Sequence, residues 1–496
     1  MPLIFVFYFG EVGIEPWEWL MGAVYMMVLY LYFGRQKNIR IKNEPEYKHF
    51  LRGLFIKAFG ALFFSLIYFY YYQGGDTISY FYSAVAMSHL AAADPLAFLS
   101  VLFGPNDQAH ISLFSLVTVK PLDYVYYDSR TFMVIRFISP LVLLAFRSYV
   151  LTALLLASIC YIGIWRCYQT FVRYYPSLMD KFAIAFLYMP SVVFWGSGIM
   201  KDTLTIAATC WWIHCFDNVF FKKHRLPFNV TGLVVAAFFL LAVKPYIFMV
   251  LMPVTVLWLM YYRVAKLKNV LFRVMVLPMA LLIMGSGIYA VLANMGDQLG
   301  KFSLDEAMET TMNIQRDMQR SEEYGSNYFN VGDLDGTFGG TVKRFPAALN
   351  AALFRPYLWE SRNVVMVLSA LENTWLLAMA LLMLWRTRVW FFLRCIRGNP
   401  MVMMMVSFTV VFGIIIGLTT PNFGALVRFK IPLVPLLVSA YYIVDYLNRE
   451  RLRCKSSGRR FSLKDYIRGE LPTVQAARSA RTRPGHVQTI RPAFDG

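Results

Sequence analysis

Long apolar runs separated by short polar stretches recur along the chain as far as residue 447. A helix needs about 20 apolar residues to cross the roughly 30 Å hydrocarbon core of a membrane, because its backbone polar groups must be satisfied internally. The pattern therefore predicts an all-α polytopic transmembrane helical bundle. Its eleven predicted spans lie at about residues 17–34, 55–73, 148–165, 182–200, 203–220, 229–243, 246–262, 271–293, 364–385, 401–418 and 431–447. The pair that flanks Lys244 also fits a re-entrant hairpin.

The composition supports a membrane environment for the chain. Hydrophobic residues make up 58% of the 496 positions, aromatic residues 17% and charged residues only 16%, with a mean hydropathy of +0.50. A soluble domain cannot bury that much apolar surface. The composition thus excludes an ordinary soluble enzyme or binding module.

The distribution of Lys and Arg predicts the orientation. If the N-terminus is outside, 33 of the 48 Lys and Arg residues fall in the inner segments, which are short compared with the outer ones. Inner loops of membrane proteins carry such an excess of positive charge. We therefore predict that the N-terminus is outside and the C-terminus inside.

This topology divides the chain into three regions. Residues 1–16 form an outer interfacial segment, residues 17–447 form the transmembrane domain, and residues 448–496 form a basic, disordered inner tail. The tail has few apolar residues and many cations, which suits contact with anionic lipid headgroups. The formal net charge of +19 does not indicate nucleic-acid binding, because no folded basic module with aromatic platforms accompanies it.

Two outer regions, 74–147 and 294–363, are too long to be simple connections. The first contains short, aromatic-rich apolar pieces, which are typical of interfacial helices. In the second, a capping box of Ser303 and Glu306 predicts a helix, and the Gly-rich stretch 326–345 predicts a mobile loop. Turn chemistry explains Asp333 and Asp335 better than a calcium site does, since the distal glutamate of a calcium loop is missing.

Several cations lie at the outer ends of predicted helices, where positive charge is normally avoided. The stretch "TTPNFGALVRFKIPLVPLL" places two of them in one outer turn, and three more occupy separate outer connections. A single such cation can snorkel to the headgroups. Five together indicate a phosphate site, because Arg and Lys bind phosphate oxygens. The five are Lys201, Lys244, Arg355, Arg428 and Lys430, and Asn422 in the same turn is the sixth candidate substrate-binding residue.

Asp76 is the candidate catalytic residue. It follows "YFYYYQGG" at the outer end of the second predicted span, where a carboxylate could act as a general base on an acceptor hydroxyl. The alternative is that Asp76 caps the helix beginning at "TISYFYSA". Asp202 is expected to cap the next helix or to pair with Lys201, and Glu372 is costly in a span unless it is paired.

These motifs resemble those of the glycosyltransferase C superfamily and of the bacterial polysaccharide polymerases. The likeness rests on the Asp in the first outer loop, "GGDTISYFYSA", on the outer helices that follow, and on the late element "RFKIPLVP". It implies transfer of a sugar or glycan from a polyprenyl phosphate or diphosphate carrier to a saccharide or lipid-linked acceptor, at the outer face of the bacterial cytoplasmic (inner) membrane.

The resemblance implies the catalytic role for Asp76 and leaves metal dependence open. Many family members carry two neighbouring acids, whereas here Thr77 follows Asp76 and the next acid is Asp94. No metal ligand and no certain cofactor is therefore assigned, and a divalent cation is left as an open requirement. The alternative functions are a transporter or flippase of lipid-linked saccharide and a non-catalytic membrane scaffold. The sequence contains neither a nucleotide-binding P-loop nor a dinucleotide-binding fingerprint, so nothing in it indicates the use of ATP or NAD.

Overall fold

The computed structural model describes residues 13–114, 119–264, 329 and 338–470. Within these ranges 82% of the residues are helical and there is no strand, so the prediction of an all-helical chain is confirmed for them. The helices before the first undescribed stretch are α1 (Pro16–Arg40), α2 (Phe50–Leu66), α3 (Asp76–Ala93), α4 (Pro95–Phe103) and α5 (Gln108–Ile111). Between residues 119 and 264 they are α6 (Asp123–Tyr126), α7 (Ser129–Leu144), α8 (Tyr149–Tyr174), α9 (Met179–Ala183), α10 (Pro190–Phe194), α11 (Lys201–Phe216), α12 (Leu226–Val243) and α13 (Pro245–Val264).

The last described range, 338–470, holds six more α-helices. They are α14 (Phe338–Phe354), α15 (Val364–Thr387), α16 (Val389–Gly398), α17 (Pro400–Thr419), α18 (Phe423–Phe429) and α19 (Val434–Ser456). Short 3-10 turns occur at Pro45–His49, Pro176–Leu178, Leu358–Glu360 and Leu463–Tyr466, and π-helical turns at Ile67–Tyr71, Ile184–Tyr188 and Asp217–Lys222.

Five described helical segments are long and apolar enough to cross a membrane: Pro45–Tyr71, α8, α12, α15 and α17. A sixth is counted if α18 and α19, which meet at a bend of 61°, form one broken span. Ten of the eleven predicted spans overlap described helices, and the eleventh, 271–293, lies outside the described residues. The number of spans and the orientation of the termini stay predictions.

The predicted span at 182–200 is interrupted in the structure. A π-helical turn at Ile184–Tyr188 is followed by Met189 in an extended conformation, and α10 then starts at Pro190. Proline cannot donate the backbone hydrogen bond that a continuous helix requires, and it disfavours helical geometry in the residue before it. The chain therefore crosses this region as two short helices with a break between them.

Helices pack closely where glycine faces a neighbouring backbone. A Cβ atom on Gly417 of α17 would lie 2.1 Å from the carbonyl oxygen of Ala348 in α14. Small residues at such contacts let membrane helices approach each other. The described part of the second outer region thus packs on the bundle through α14.

Two sequence-based expectations need correction. The predicted mobile loop at 326–345 extends into α14, because residues 338–345 are helical there; the predicted helix after Ser303 lies outside the described residues. The tail predicted to be disordered from residue 448 is ordered as far as residue 470. Helix α19 continues to Ser456, and Glu470 then hydrogen-bonds Ser177 and the carbonyl of Tyr174, so this basic segment is fixed by packing on α8.

Candidate functional site

Asp76 lies at a sharp turn between α2 and α3. The chain leaves the π-helical turn at Tyr71 and reverses through Gly74 and Gly75, whose φ angles of 152° and 94° are accessible to glycine. Gly75 is the N-cap of α3, and Asp76 is the first helical residue and makes no capping hydrogen bond. The side chain of Asp76 is 46% exposed, so the turn presents a carboxylate at the surface of the helical bundle.

Arg428 of α18 is the ion-pair partner of Asp76. Its Nη1 donates to Oδ2 of Asp76 at 3.3 Å, and the guanidinium also donates to the hydroxyl of Tyr68, in the π-helical turn that follows α2. The Arg428 side chain is only 18% exposed, and its buried Nε has no hydrogen-bond partner among the described residues. The guanidinium therefore joins α3 and α18 to the π-helical turn that follows α2, and it leaves one buried N–H without a partner in the described part of the chain.

A second pair, Asp202 and Lys244, lies deeper in the bundle. The Nζ of Lys244 donates to Oδ1 of Asp202 at 2.6 Å, and both side chains are almost completely buried. The ammonium also lies 3.8 Å from the ring centroid of Phe429, next to Arg428 in the chain. Asp202 acts electrostatically on Arg428 as well, so the two ion pairs belong to one charge system.

A third pair extends this system to the surface. Lys201 donates to Oδ2 of Asp128 at 3.1 Å, and the hydroxyl of Thr131 donates to the same carboxylate. Burial alone would raise the pKa of Asp128, but the Thr131 hydrogen bond and the Lys201 charge outweigh it and lower that pKa. The outer charge cluster is defined here as Tyr68, Asp76, Asp128, Lys201, Asp202, Lys244 and Arg428.

Lys430 forms a separate polar group with two residues of α15. Its Nζ donates to Oδ1 of Asn373 at 2.5 Å and lies close enough to Glu372 for an electrostatic interaction. Glu372 accepts a hydrogen bond from the backbone N–H of Ser191 at 2.7 Å, and its other carboxylate oxygen is buried without a hydrogen-bond partner. A buried ammonium and a half-satisfied carboxylate thus face the start of α10.

This polar group forms part of the wall of an apolar groove of about 640 Å³. Aromatic and aliphatic side chains of α2, α10 and α15 form most of its wall, among them Phe59, Phe63, Ile67, Phe194, Leu368 and Trp375. The groove also reaches Val427. Ile67 and Val427, which line the groove, are the chain neighbours of Tyr68 and Arg428, so the groove lies next to the outer charge cluster.

Arg355 is bound to its own loop. It forms an ion pair with Glu360, and its guanidinium lies over the rings of Phe329 and Phe423, at 4.9 and 5.2 Å from their centroids. Asn422 accepts a hydrogen bond from the N–H of Ala425 at 3.1 Å and so caps α18. These two predicted site residues fix the position of α18, and neither contacts Asp76 directly.

The structure thus divides the predicted site residues into groups. Asp76 contacts Arg428, and Lys201 and Lys244 join them through acids that the sequence analysis did not connect with them. Lys430 and Arg355 have separate partners. The expectation for Asp202 is wrong, because Met200 is the N-cap of α11 and Asp202 pairs with Lys244 instead of Lys201.

Sequence reasoning missed four partners of the cations, the acids Asp128 and Glu360 and the neutral hydrogen-bonding residues Tyr68 and Asn373. The one signal in the sequence was that acids accompany the cations in the outer segments, which does not reveal which of them meet. Within the described ranges, no group of three or more His, Cys, Asp or Glu side chains could hold a metal ion. Comparison of the chain with protein-family models, with curated proteins and with solved structures gives no match.

Proposed function

We propose that this chain is an integral-membrane glycosyltransferase or polysaccharide polymerase. It transfers a sugar or glycan from a polyprenyl phosphate or diphosphate carrier to an acceptor hydroxyl, on the outer face of a bacterial cytoplasmic membrane that the chain crosses many times. The observation that carries the proposal is the pairing of the half-exposed Asp76 with Arg428 next to an apolar groove that Val427 and Lys430 help to line.

The groove suits the carrier of such a donor. Its volume of about 640 Å³ lies within the range of about 300–1,000 Å³ that is usual for small-molecule sites, and its wall is almost entirely apolar. A polyprenyl chain is apolar and carries its negative charge at one end. The chain would lie along Phe59 and Phe63, with its phosphate towards Lys430 and Arg428.

The residues at this end supply the chemistry of transfer. The Asp76 carboxylate takes the proton of the acceptor hydroxyl, whose oxygen attacks the anomeric carbon of the donor sugar. The bond between that carbon and the carrier phosphate breaks, and the leaving phosphate carries away the electron pair. Arg428 and Lys430 stabilise the negative charge that develops on the phosphate.

The internal ion pairs separate four of the five cations by role. Lys244 and Arg355 each form an ion pair with an acid within the protein, so we assign both to positioning. We assign Arg428 and Lys430 as the phosphate ligands. Arg428 pairs with Asp76, whose carboxylate is half exposed, and Lys430 lines the groove.

The test is the substitution Asp76→Asn in the full-length protein in proteoliposomes, with lipid-linked saccharides extracted from the source membranes as donor. The asparagine keeps the shape and an oxygen for Arg428 but removes the base, so product formation should fall about 10²- to 10⁴-fold while donor binding changes little. Asp94→Asn is the matched control, because Asp94 caps α4 in the same outer region and lies outside the outer charge cluster.

Asp94→Asn should retain the wild-type rate. If Asp76→Asn also makes product at the wild-type rate, Asp76 is not the base and the proposal fails. If the wild type makes no product but moves lipid-linked saccharide across the bilayer, and Asp76→Asn preserves that movement, the chain is a transporter.

A further inference from the structure

Helix α16 follows the candidate span α15 after a single residue. Arg388, with φ 59° and ψ 149°, ends α15 and redirects the chain into α16. The 24 residues of α15 extend about 36 Å, enough to cross the hydrocarbon core. Because α15 contacts Lys430 in its first half, its last turn and α16 lie at the opposite end of the bundle from the outer charge cluster.

One side of α16 is packed and the other is exposed. Phe391 and Cys395 are buried, and the guanidinium of Arg451 in α19 lies 4.0 Å from the Phe391 ring centroid. On the other side Trp390 is 82% exposed, and Trp385 at the end of α15 is 80% exposed. The exposed apolar surface continues from these rings along α15 through Leu381 and Leu382.

Four arginines and no acid accompany these tryptophans in residues 385–398: Arg386, Arg388, Arg394 and Arg397. Within the described residues none of the four forms an ion pair with a carboxylate. Arg388 and Arg394 both act electrostatically on Arg451, so the positive charge here is concentrated and uncompensated. Exposed tryptophans beside unpaired arginines are typical of a helix in the interfacial layer of a membrane.

We propose that α16 is a binding site for anionic phospholipid headgroups on the membrane surface opposite the outer charge cluster. Trp385 and Trp390 lie at the boundary between headgroups and acyl chains, and the four arginines bind the phosphates of neighbouring lipids. Two observations identify this occupant: the unpaired positive charge, and the continuity of the exposed apolar surface with the flank of a membrane-length helix. The site is independent of the proposed transferase activity.

The first experiment compares two triple variants of the full-length protein in detergent. Arg388→Gln/Arg394→Gln/Arg397→Gln removes three charges from the site. Lys455→Gln/Arg459→Gln/Arg460→Gln removes three exposed charges from the last turn of α19 and the segment that follows it. Native mass spectrometry counts bound phosphatidylglycerol, and phosphatidylcholine with the same acyl chains serves as the neutral probe.

An arginine near an anionic surface strengthens binding roughly fivefold, so the first variant should lose up to about a hundredfold in affinity for phosphatidylglycerol. Its phosphatidylcholine binding should not change. The substitutions of the second variant lie in the basic tail, which also suits contact with anionic headgroups, so this variant should lose affinity for phosphatidylglycerol, but much less than the first variant does. Equal losses in the two variants would show diffuse attraction to the basic segment, and unchanged binding in the first variant would also overturn the proposal.

A second measurement leaves the arginines intact and so does not depend on how the triple variants fold. Brominated phosphatidylglycerol quenches tryptophans that touch lipid. The quenched fluorescence should fall when Trp390 is replaced by Phe, and it should not change when the buried Trp165 is replaced by Phe. A Trp390 signal that the brominated lipid does not quench would place α16 away from the membrane.

Discussion

The buried pair Asp202–Lys244 allows a quantitative test of whether Lys244 stabilises the fold by pairing with Asp202. Asp202 and Lys244 are 3% and 6% exposed, so each charge has been removed from water and depends on its partner. Removing one member of such a pair costs about 3–5 kcal/mol, because the other charge stays buried without compensation.

The structure predicts that the two single substitutions are unequal. Asp202→Asn leaves Lys244 and Arg428 as two cations around a neutral amide, so we expect the full cost of about 3–5 kcal/mol. Lys244→Met removes the ammonium and its hydrogen bond to Asp202, but Asp202 still has the charge of Arg428 nearby. We expect about 1–3 kcal/mol for this loss.

The measurement is the free energy of unfolding in mixed micelles, obtained by titration with SDS, for the wild type, both single variants and the double variant. The double variant should be more stable than the sum of the single losses predicts, since the residues are in direct contact. Lys201→Met is the control; its ion pair is partly exposed and should contribute no more than about 1 kcal/mol. If Asp202→Asn costs less than Lys244→Met, Lys244 is not held by Asp202, and its assignment to positioning instead of substrate binding is wrong.

Two further predictions concern packing and pH. Gly417→Ala should destabilise the protein by about 1–3 kcal/mol in the same titration, because its Cβ would overlap the carbonyl oxygen of Ala348. Gly339→Ala is the control and should be neutral or slightly stabilising, because no atom lies within 4 Å of the added Cβ. Equal effects of the two substitutions would contradict the close contact of α14 with α17. The pKa of Asp128 is lowered in the folded state, so its contribution is present above the unfolded pKa and is lost as the pH falls through the folded pKa. Stability should therefore decrease as the pH is lowered from about 5 to about 3, and Asp128→Asn should reduce that decrease; an identical pH profile would show that Asp128 has the same pKa folded and unfolded.

Hydropathy predicted the helices best where an apolar run is long and uninterrupted. The predicted segments 364–385 and 401–418 match α15 and α17 within two residues at each end. Prediction was poorer for segment 182–200, because its composition is apolar throughout and the break depends on the local geometry at Met189 and Pro190. It was also poorer for α19, which continues beyond the end of its apolar run. The polar segment that follows α19 is held by hydrogen bonds of Tyr466 and Glu470 to distant residues.

The candidate site was predictable in its charges but not in its pairing. The unusual positions of Arg428 and Lys244 follow from the distribution of cations along the chain. Their partners do not, since Asp202 is 42 residues from Lys244, and α11, α12 and α18 must first come together before the acid meets both cations. Local sequence patterns carry no information on contacts of that range.

The ion pair of Asp76 and Arg428 joins residues that are 352 positions apart, which sets the order in which it forms during synthesis. Asp76 emerges from the ribosome early and has no cationic partner at this position until more than two thirds of the chain has followed. Since its side chain is 46% exposed, the Asp76 carboxylate can stay hydrated until Arg428 is synthesised. Arg428, the more buried member, is synthesised after Asp76. Its charge, which would be costly to bury alone, therefore has an acid to pair with as soon as α18 packs.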